Sequence, residues 1–199
     1  MQNRIATTKD IDQIVKIHQD AFGSFFLTSL GADFLRFYYT SFVKNKETVC
    51  LVAVDDNEVI GFSAATTKSK GFNTRLICSN IMVFIGWSFK MMVINPRALL
   101  RLVKNLTKKS DSVTDDGEYA ELFSIGVSST YQGRGVGSLL LSETEALLLK
   151  KGVWRLSLTT DYENNDSAVE FYHRNGYRVL YVFNTYPNRK MYRFIKKIG

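Results

Sequence analysis

The chain has 199 residues, of which 45% are hydrophobic and 23% charged, the balance of an ordinary globular protein with material for one good core. Its net charge of +7 favours an anionic partner such as a phosphorylated cofactor, yet Lys108-Lys109, Lys150-Lys151 and Lys196-Lys197 are scattered doublets and no nucleic-acid motif accompanies them, so nucleic acid is not expected. Two cysteines, Cys50 and Cys78, argue against a disulfide framework, and with only two histidines, His18 and His173, no metal site is expected.

The N-terminal MQNRIATTKD lacks the apolar run of a signal peptide, and the chain is read as cytoplasmic. Residues 3–7 read as a short strand. Residues 10–22 place Ile11, Ile14, Val15 and His18 on one helical face, and residues 33–42 repeat the pattern with Phe34, Phe37, Tyr38 and Phe42. TVCLVAVDDNEVIGFSAAT follows as a hairpin, two β-branched runs around the turn Asp55-Asp56-Asn57-Glu58. Residues 72–107 are helical and unusually apolar, divided at Pro96 because proline suits a first helical turn and not an interior. Within them, residues 76–96 are too short an apolar run to cross ~30 Å of hydrocarbon, and Asn80 and Lys90 interrupt it. The segment is read as a buried helix or helical hairpin; an acceptor-pocket wall, a dimer surface and a membrane-resting helix stay open. Both cysteines are expected in the core.

Residues 108–117 are a polar connection closing on the turn Asp115-Asp116-Gly117. Residues 119–127 read as a strand, followed by a glycine-rich loop and a helix from about 135 to 150 that stops at Gly152. Residues 153–160 make the next strand, 165–175 a helix ended by Gly176, and 177–184 with 191–198 a closing antiparallel pair. The order is β-α-α-β-β-(αα)-β-α-β-α-β-β. It predicts one α/β domain over residues 1–199 with a helical insertion at about 72–116. A single crossover makes one parallel pair in an otherwise antiparallel sheet.

Gly133, Gly135 and Gly137 stand at the mouth of the long helix, although each glycine costs a helix about 0.5–1 kcal/mol relative to alanine. Glycines between a strand and a helix let backbone amides approach a ligand, and the unpaired N–H groups of a first turn suit a phosphate. Arg134 adds charge. A tight turn without a ligand is the plain alternative. A P-loop is excluded, because Ser138 follows Gly137 where GxxxxGK[ST] needs lysine. The dinucleotide fingerprint GxGxxG meets Ser138 at its third glycine, with Asp161 as its ribose acid. Against it, residues 128–132 separate strand from glycine, and the remaining chain cannot complete a doubly wound sheet.

The better match is QxxGxG, Gln132 to Gly137. With ELFSIGVSSTYQGRGVGSLLL and NDSAVEFYHRNGY, in which Asn165, Ala168, Tyr172, Gly176 and Tyr177 fit NxxAxxxYxxxGF, the chain resembles the GNAT acetyltransferases, which use acetyl-coenzyme A. Ser129 stands where many members have proline. The resemblance implies a central mixed sheet whose fourth and fifth strands splay apart. It also implies that Ile125 and Val127 pair with the pantetheine arm, with Gly126 allowing a bulge or close packing. Gln132, Gly133, Arg134, Gly135, Val136, Gly137 and Ser138 would then hold the pyrophosphate, and Asn165 would bind near the arm unless it simply caps its helix. Glu121 is the candidate general base, or an acceptor anchor, with Glu118 and Asp161 behind it. Tyr172 is the candidate acid toward the leaving thiolate, or orients the thioester. The expected function is direct acetyl transfer to a primary amine of a small acceptor, including amino sugars. A coenzyme A-binding sensor without turnover and a protein or peptide acetyltransferase are the alternatives. No metal is implied, and a homodimer is possible.

Overall fold

The computed structural model describes the chain except residues 24, 95, 97–99, 101–114 and 187, and residues 90–94 by backbone alone. The strands are β1 (Gln2–Ile5), β2 (Thr48–Asp55), β3 (Glu58–Thr66), β4 (Ala120–Val127), β5 (Arg155–Asp161), β6 (Arg178–Thr185) and β7 (Arg189–Lys197). Their order in the sheet is β1-β2-β3-β4-β5-β7-β6, with β4 and β5 parallel and the pairs β1-β2, β2-β3, β3-β4 and β6-β7 antiparallel. The helices among the described residues are α1 (Ile11–Ala21), α2 (Ala32–Lys44), α3 (Phe72–Ser79), α4 (Ile81–Ile94), α5 (Val136–Lys150) and α6 (Asp166–Arg174). The chain divides into two compact units: Met1–Ser69 with Glu118–Leu158 and Lys196–Gly199, and Lys70–Gly117 with Thr159–Ile195.

The first unit holds the larger core. The β2–β3 turn puts Asp56 (φ 46°) and Asn57 (φ 67°) in the left-handed region. Short polar residues tolerate this pair of conformations, which matches the twist of a two-residue hairpin. Val49, Leu51, Val52, Phe62, Ala64 and Ala65 are all at most 5% exposed, so β2 and β3 are covered on both faces. The partners are α1 and α2, and α5 through Val136, Leu140, Leu141 and Leu148. Between β3 and α5 the polar groups are paired: the Thr144 hydroxyl lies 2.7 Å from both the Ser63 hydroxyl and the Leu140 carbonyl. Cys50 is buried as expected, and burial pushes its thiol up to about 12.

The second unit departs from expectation. The apolar stretch is broken at Asn80, ahead of Pro96. Asn80 donates its N–H to the Ile77 carbonyl (3.1 Å) and its side-chain amide to the Leu76 carbonyl (2.9 Å). Closing the last carbonyls of α3 from one residue ends the helix. The following α4 is not the buried helix its composition suggested: Met82 is 79% and Phe89 66% exposed, and Ile81, Val83 and Ile85 are exposed as well. Cys78 is exposed too, so it is not a core residue. The helix expected to continue to residue 107, and the polar connection from 108 to 114, lie outside the described residues. No helix among the described residues is long and apolar enough to cross a membrane.

Candidate active site

β4 carries the first set of candidate residues, and its pairing is uneven. Its ladder with β5 consists of Ala120–Leu156, Glu121–Ser157 and Leu122–Leu158 and stops there. Its ladder with β3 continues to Val127 opposite Gly61. The β4 segment from Phe123 to Val127 therefore has a strand partner on the β3 side alone.

The register with β3 shifts between Ala64–Ser124 and Ala65–Leu122, so Phe123 is an extra residue. This bulge sits three residues before the Gly126 position that the sequence suggested. Gly126 answers to close packing instead: a Cβ there would come within 2.9 Å of the Phe62 ring and 3.4 Å of the Phe22 ring. The bulge sets the direction of the backbone groups. Ser128 donates its N–H to the Ile60 carbonyl of β3 at 2.8 Å. Backbone groups alternate sides along a strand, so Gly126 also serves β3, while the N–H and C=O of Ile125 and Val127 turn toward the open edge. Below the bulge the parity is reversed, and there Ala120 and Leu122 turn to β5.

The loop after β4 explains two of the three glycines. Gly133 (φ 74°) and Gly135 (φ 81°) are left-handed, and a Cβ at either would meet nothing within 4 Å. Backbone conformation, not crowding, demands glycine there. Gly135 is the residue before α5, and no side chain caps the helix; its carbonyl accepts the first helical bond, from Leu139 N–H at 3.0 Å. The amides of Val136, Gly137 and Ser138 thus lie in a first turn with no preceding helical carbonyls to meet. Arg134 is exposed, its guanidinium 5.1 Å from the centre of the Tyr131 ring. The Gln132 amide donates to the Val127 carbonyl (3.3 Å), tying the loop to the open strand edge. An open backbone edge running into a glycine-lined, uncapped helix start fits a pantetheine arm ending in a pyrophosphate.

Glu121 is half-buried, and its Oε2 accepts a hydrogen bond from the Ser69 hydroxyl. Ser69 lies far away in sequence and carried no signal of this role. The Ser69 backbone is fixed in turn, its N–H donating to the Tyr119 carbonyl at 2.8 Å. Tyr38 of α2 feels the Glu121 charge: burial first, and then this carboxylate, raise its phenol. Glu118 is exposed, 3.6 Å from the Lys68 ammonium.

The second unit carries the other candidates. Tyr172 on α6 is 9% exposed among Phe171, Tyr177 and Phe194, with ring centroids 5.2–5.9 Å away. Burial raises its phenol well above the ordinary value, so it is neutral at physiological pH. Among the described residues its hydroxyl forms no hydrogen bond. Asn165 precedes α6 but does not cap it with its side chain, contrary to the capping reading; its amide donates back to the Thr160 hydroxyl (2.5 Å) and the Asp161 carbonyl (3.3 Å). Asp161 is occupied by Arg189, whose guanidinium grips both carboxylate oxygens. That grip removes Asp161 as ribose-binding acid or general base. Among the described residues no cluster of His, Cys, Asp or Glu could hold a metal.

Solved structures share this fold along the whole chain. An aminoglycoside 6'-acetyltransferase type Ii is 16% identical with a TM-score of 0.65, covering 100% of this chain and 98% of its own. A ribosomal-protein-alanine N-acetyltransferase from Brucella melitensis is 15% identical with a TM-score of 0.63, covering 99% of each chain. An N-acetyltransferase from Thermoplasma acidophilum in complex with coenzyme A is 15% identical with a TM-score of 0.59, covering 98% of each. At such identities the likeness is one of fold. No curated protein matches the sequence. The sequence model of the acetyltransferase (GNAT) family matches residues 11–177, and the chain belongs to that family of acetyl-coenzyme A-dependent N-acetyltransferases.

Proposed function

We propose that this chain transfers the acetyl group of acetyl-coenzyme A directly to a primary amine of a small acceptor, with Glu121 and Tyr172 as its working side chains. One observation carries the reading: the β4 edge turned open by the Phe123 bulge runs straight into the glycine-lined start of α5. Ile125 and Val127 would pair with the pantetheine arm. The amides of Gly133 through Ser138, with Arg134 and Gln132, would hold the pyrophosphate, and Asn165 would support the arm.

Acetyl-coenzyme A supplies a thioester whose carbonyl is open to attack. An alkylamine is mostly protonated at neutral pH, with a pKa of about 10, so it must lose a proton before its nitrogen bonds to carbon. Glu121 takes that proton directly or through one water, and the Ser69 hydroxyl keeps its carboxylate in place. A backbone amide beside Val127 polarises the carbonyl oxygen. As the carbon–sulfur bond breaks, the nitrogen gives up its second proton to solvent and the Tyr172 hydroxyl donates a hydrogen bond to the departing thiolate. A phenol raised by burial is a weak proton donor beside a thiol of pKa about 8.5, so its contribution is a hydrogen bond rather than full proton transfer.

Aminoglycosides are amino sugars, and enzymes named for them share this fold, which makes amino sugars the first acceptors to assay. The neighbour named for ribosomal-protein alanine keeps a peptide N-terminus as the second acceptor class. Calorimetry with acetyl-coenzyme A tests the cofactor, and acetyl transfer to amino sugars and to peptides tests the acceptor. Binding without turnover on either class would make the chain a coenzyme A sensor; absence of binding would end the reading.

A further inference from the structure

We propose that the exposed face of α4 docks on the surface of an anionic lipid bilayer. The observation begins with a stripe. Ile81, Met82, Ile85 and Phe89 recur at helical spacing, are 46–79% exposed, and form one continuous apolar side of α4, while Phe84, Trp87 and Ser88 turn inward and are part-covered. Among the described residues nothing covers this face, and an apolar face of this size marks a docking surface.

The charge distribution selects the occupant. Read along the whole chain the basic residues are scattered, but the acidic residues are not. From residue 59 to 110 the sequence contains nine Lys or Arg and not one Asp or Glu. The rest of the molecule then holds 17 basic against 19 acidic residues, so the entire positive excess lies in the stretch that contains α4. Lys70 and Arg75, close to α4 in sequence, belong to this set. Exposed apolar side chains within an acid-free basic segment combine the two attractions that hold an interfacial helix: apolar burial among acyl chains and attraction to anionic headgroups. A second copy of the same face is disfavoured, because it would oppose basic segment to basic segment. At 14 residues α4 is too short to cross the bilayer, and no helix among the described residues is of spanning length, so the proposed contact lies along the surface.

The test is sedimentation of the full chain with vesicles of phosphatidylcholine alone, or of phosphatidylcholine with phosphatidylglycerol, at low and high salt. The expected result is partitioning into the phosphatidylglycerol vesicles, at least ~10-fold weaker without the anionic lipid or at high salt. Met82→Ser/Phe89→Ser is expected to weaken it at least ~10-fold with an unchanged melting curve, since both positions are exposed. Failure to sediment with anionic vesicles, or partitioning that the double variant retains, overturns the proposal. So does a wild-type dimer that the double variant dissociates in the absence of vesicle binding, which would make the face a contact between copies.

Discussion

The segment from β4 through α5 and the α4 helix are both rich in apolar residues and use them in opposite ways. Along β4, Ala120, Leu122, Ser124 and Gly126 are buried in strict alternation, and α5 buries one stripe. The buried apolar side chains there, among them Leu122, Leu140, Leu141 and Leu148, belong to the core of the first unit. α4 is apolar nearly all round, yet its widest face is open. Hydrophobic content therefore states that surface will be covered, and periodicity states by what. A period of two or a single stripe points to the chain's own core. An unbroken apolar helix leaves the partner unspecified.

The sharpest way to break the comparison is to damage each region and measure the other's property. Gly135→Glu places a side chain and a negative charge in the left-handed helix start, and acetyl-coenzyme A binding by calorimetry is expected to disappear. Met82→Ser/Phe89→Ser is expected to leave that binding within ~2-fold. If the α4 variant abolished it, the two regions would not be separable.

A second test addresses the core beneath β4. His18 is 3% exposed; its Nδ1 lies 2.6 Å from the Tyr39 hydroxyl, and its Nε2 is buried without a partner. Burial lowers its pKa to about 4. The unfolded chain, near 6.5, then binds the proton more readily than the folded one. Stability is whole above pH ~6.5, declines as pH falls toward 4, and changes no further from this group below that, a loss of up to about 3 kcal/mol. Melting curves across that window should fall for the wild type and flatten for His18→Phe.

Smaller effects sharpen the chemistry. Glu121→Gln should lower kcat by ~100-fold and remove the rise of rate with pH that a general base produces, with acetyl-coenzyme A affinity unchanged. A loss confined to the acceptor KM would make Glu121 an anchor instead. Tyr172→Phe should cost ~10-fold in kcat, the worth of one hydrogen bond to the leaving sulfur, with little change in either KM. An unaltered kcat would leave Tyr172 as packing alone.

Most of the fold was legible because its signals are local. The turn residues Asp56 and Asn57, the stops at Gly152 and Gly176, and the strand-glycine-helix order each lie within a few neighbouring positions. The loop candidates were legible for the same reason, since a left-handed backbone at Gly133 and Gly135 demands a residue type the sequence displays. What stayed hidden depends on partners distant in sequence. Ser69 beneath Glu121, Arg189 gripping Asp161 and Thr160 holding Asn165 exist only once the chain has folded. The Phe123 bulge left no trace, because a register shift is a relation between two strands. Exposure of α4 was missed because an unstriped helix carries no sidedness.

The extra residue in β4 has an evolutionary and an engineering consequence. Phe123 works by count rather than by chemistry: one added position reverses which amides face outward for the rest of the strand. Substitutions around it change packing by degrees. A one-residue insertion or deletion between Glu121 and Ser124 would turn Ile125 and Val127 inward in a single step, and present Ser124 and Gly126 in their place. The length of this strand is thus more strictly constrained than its composition, and libraries built on this scaffold can vary the letters there while keeping their number.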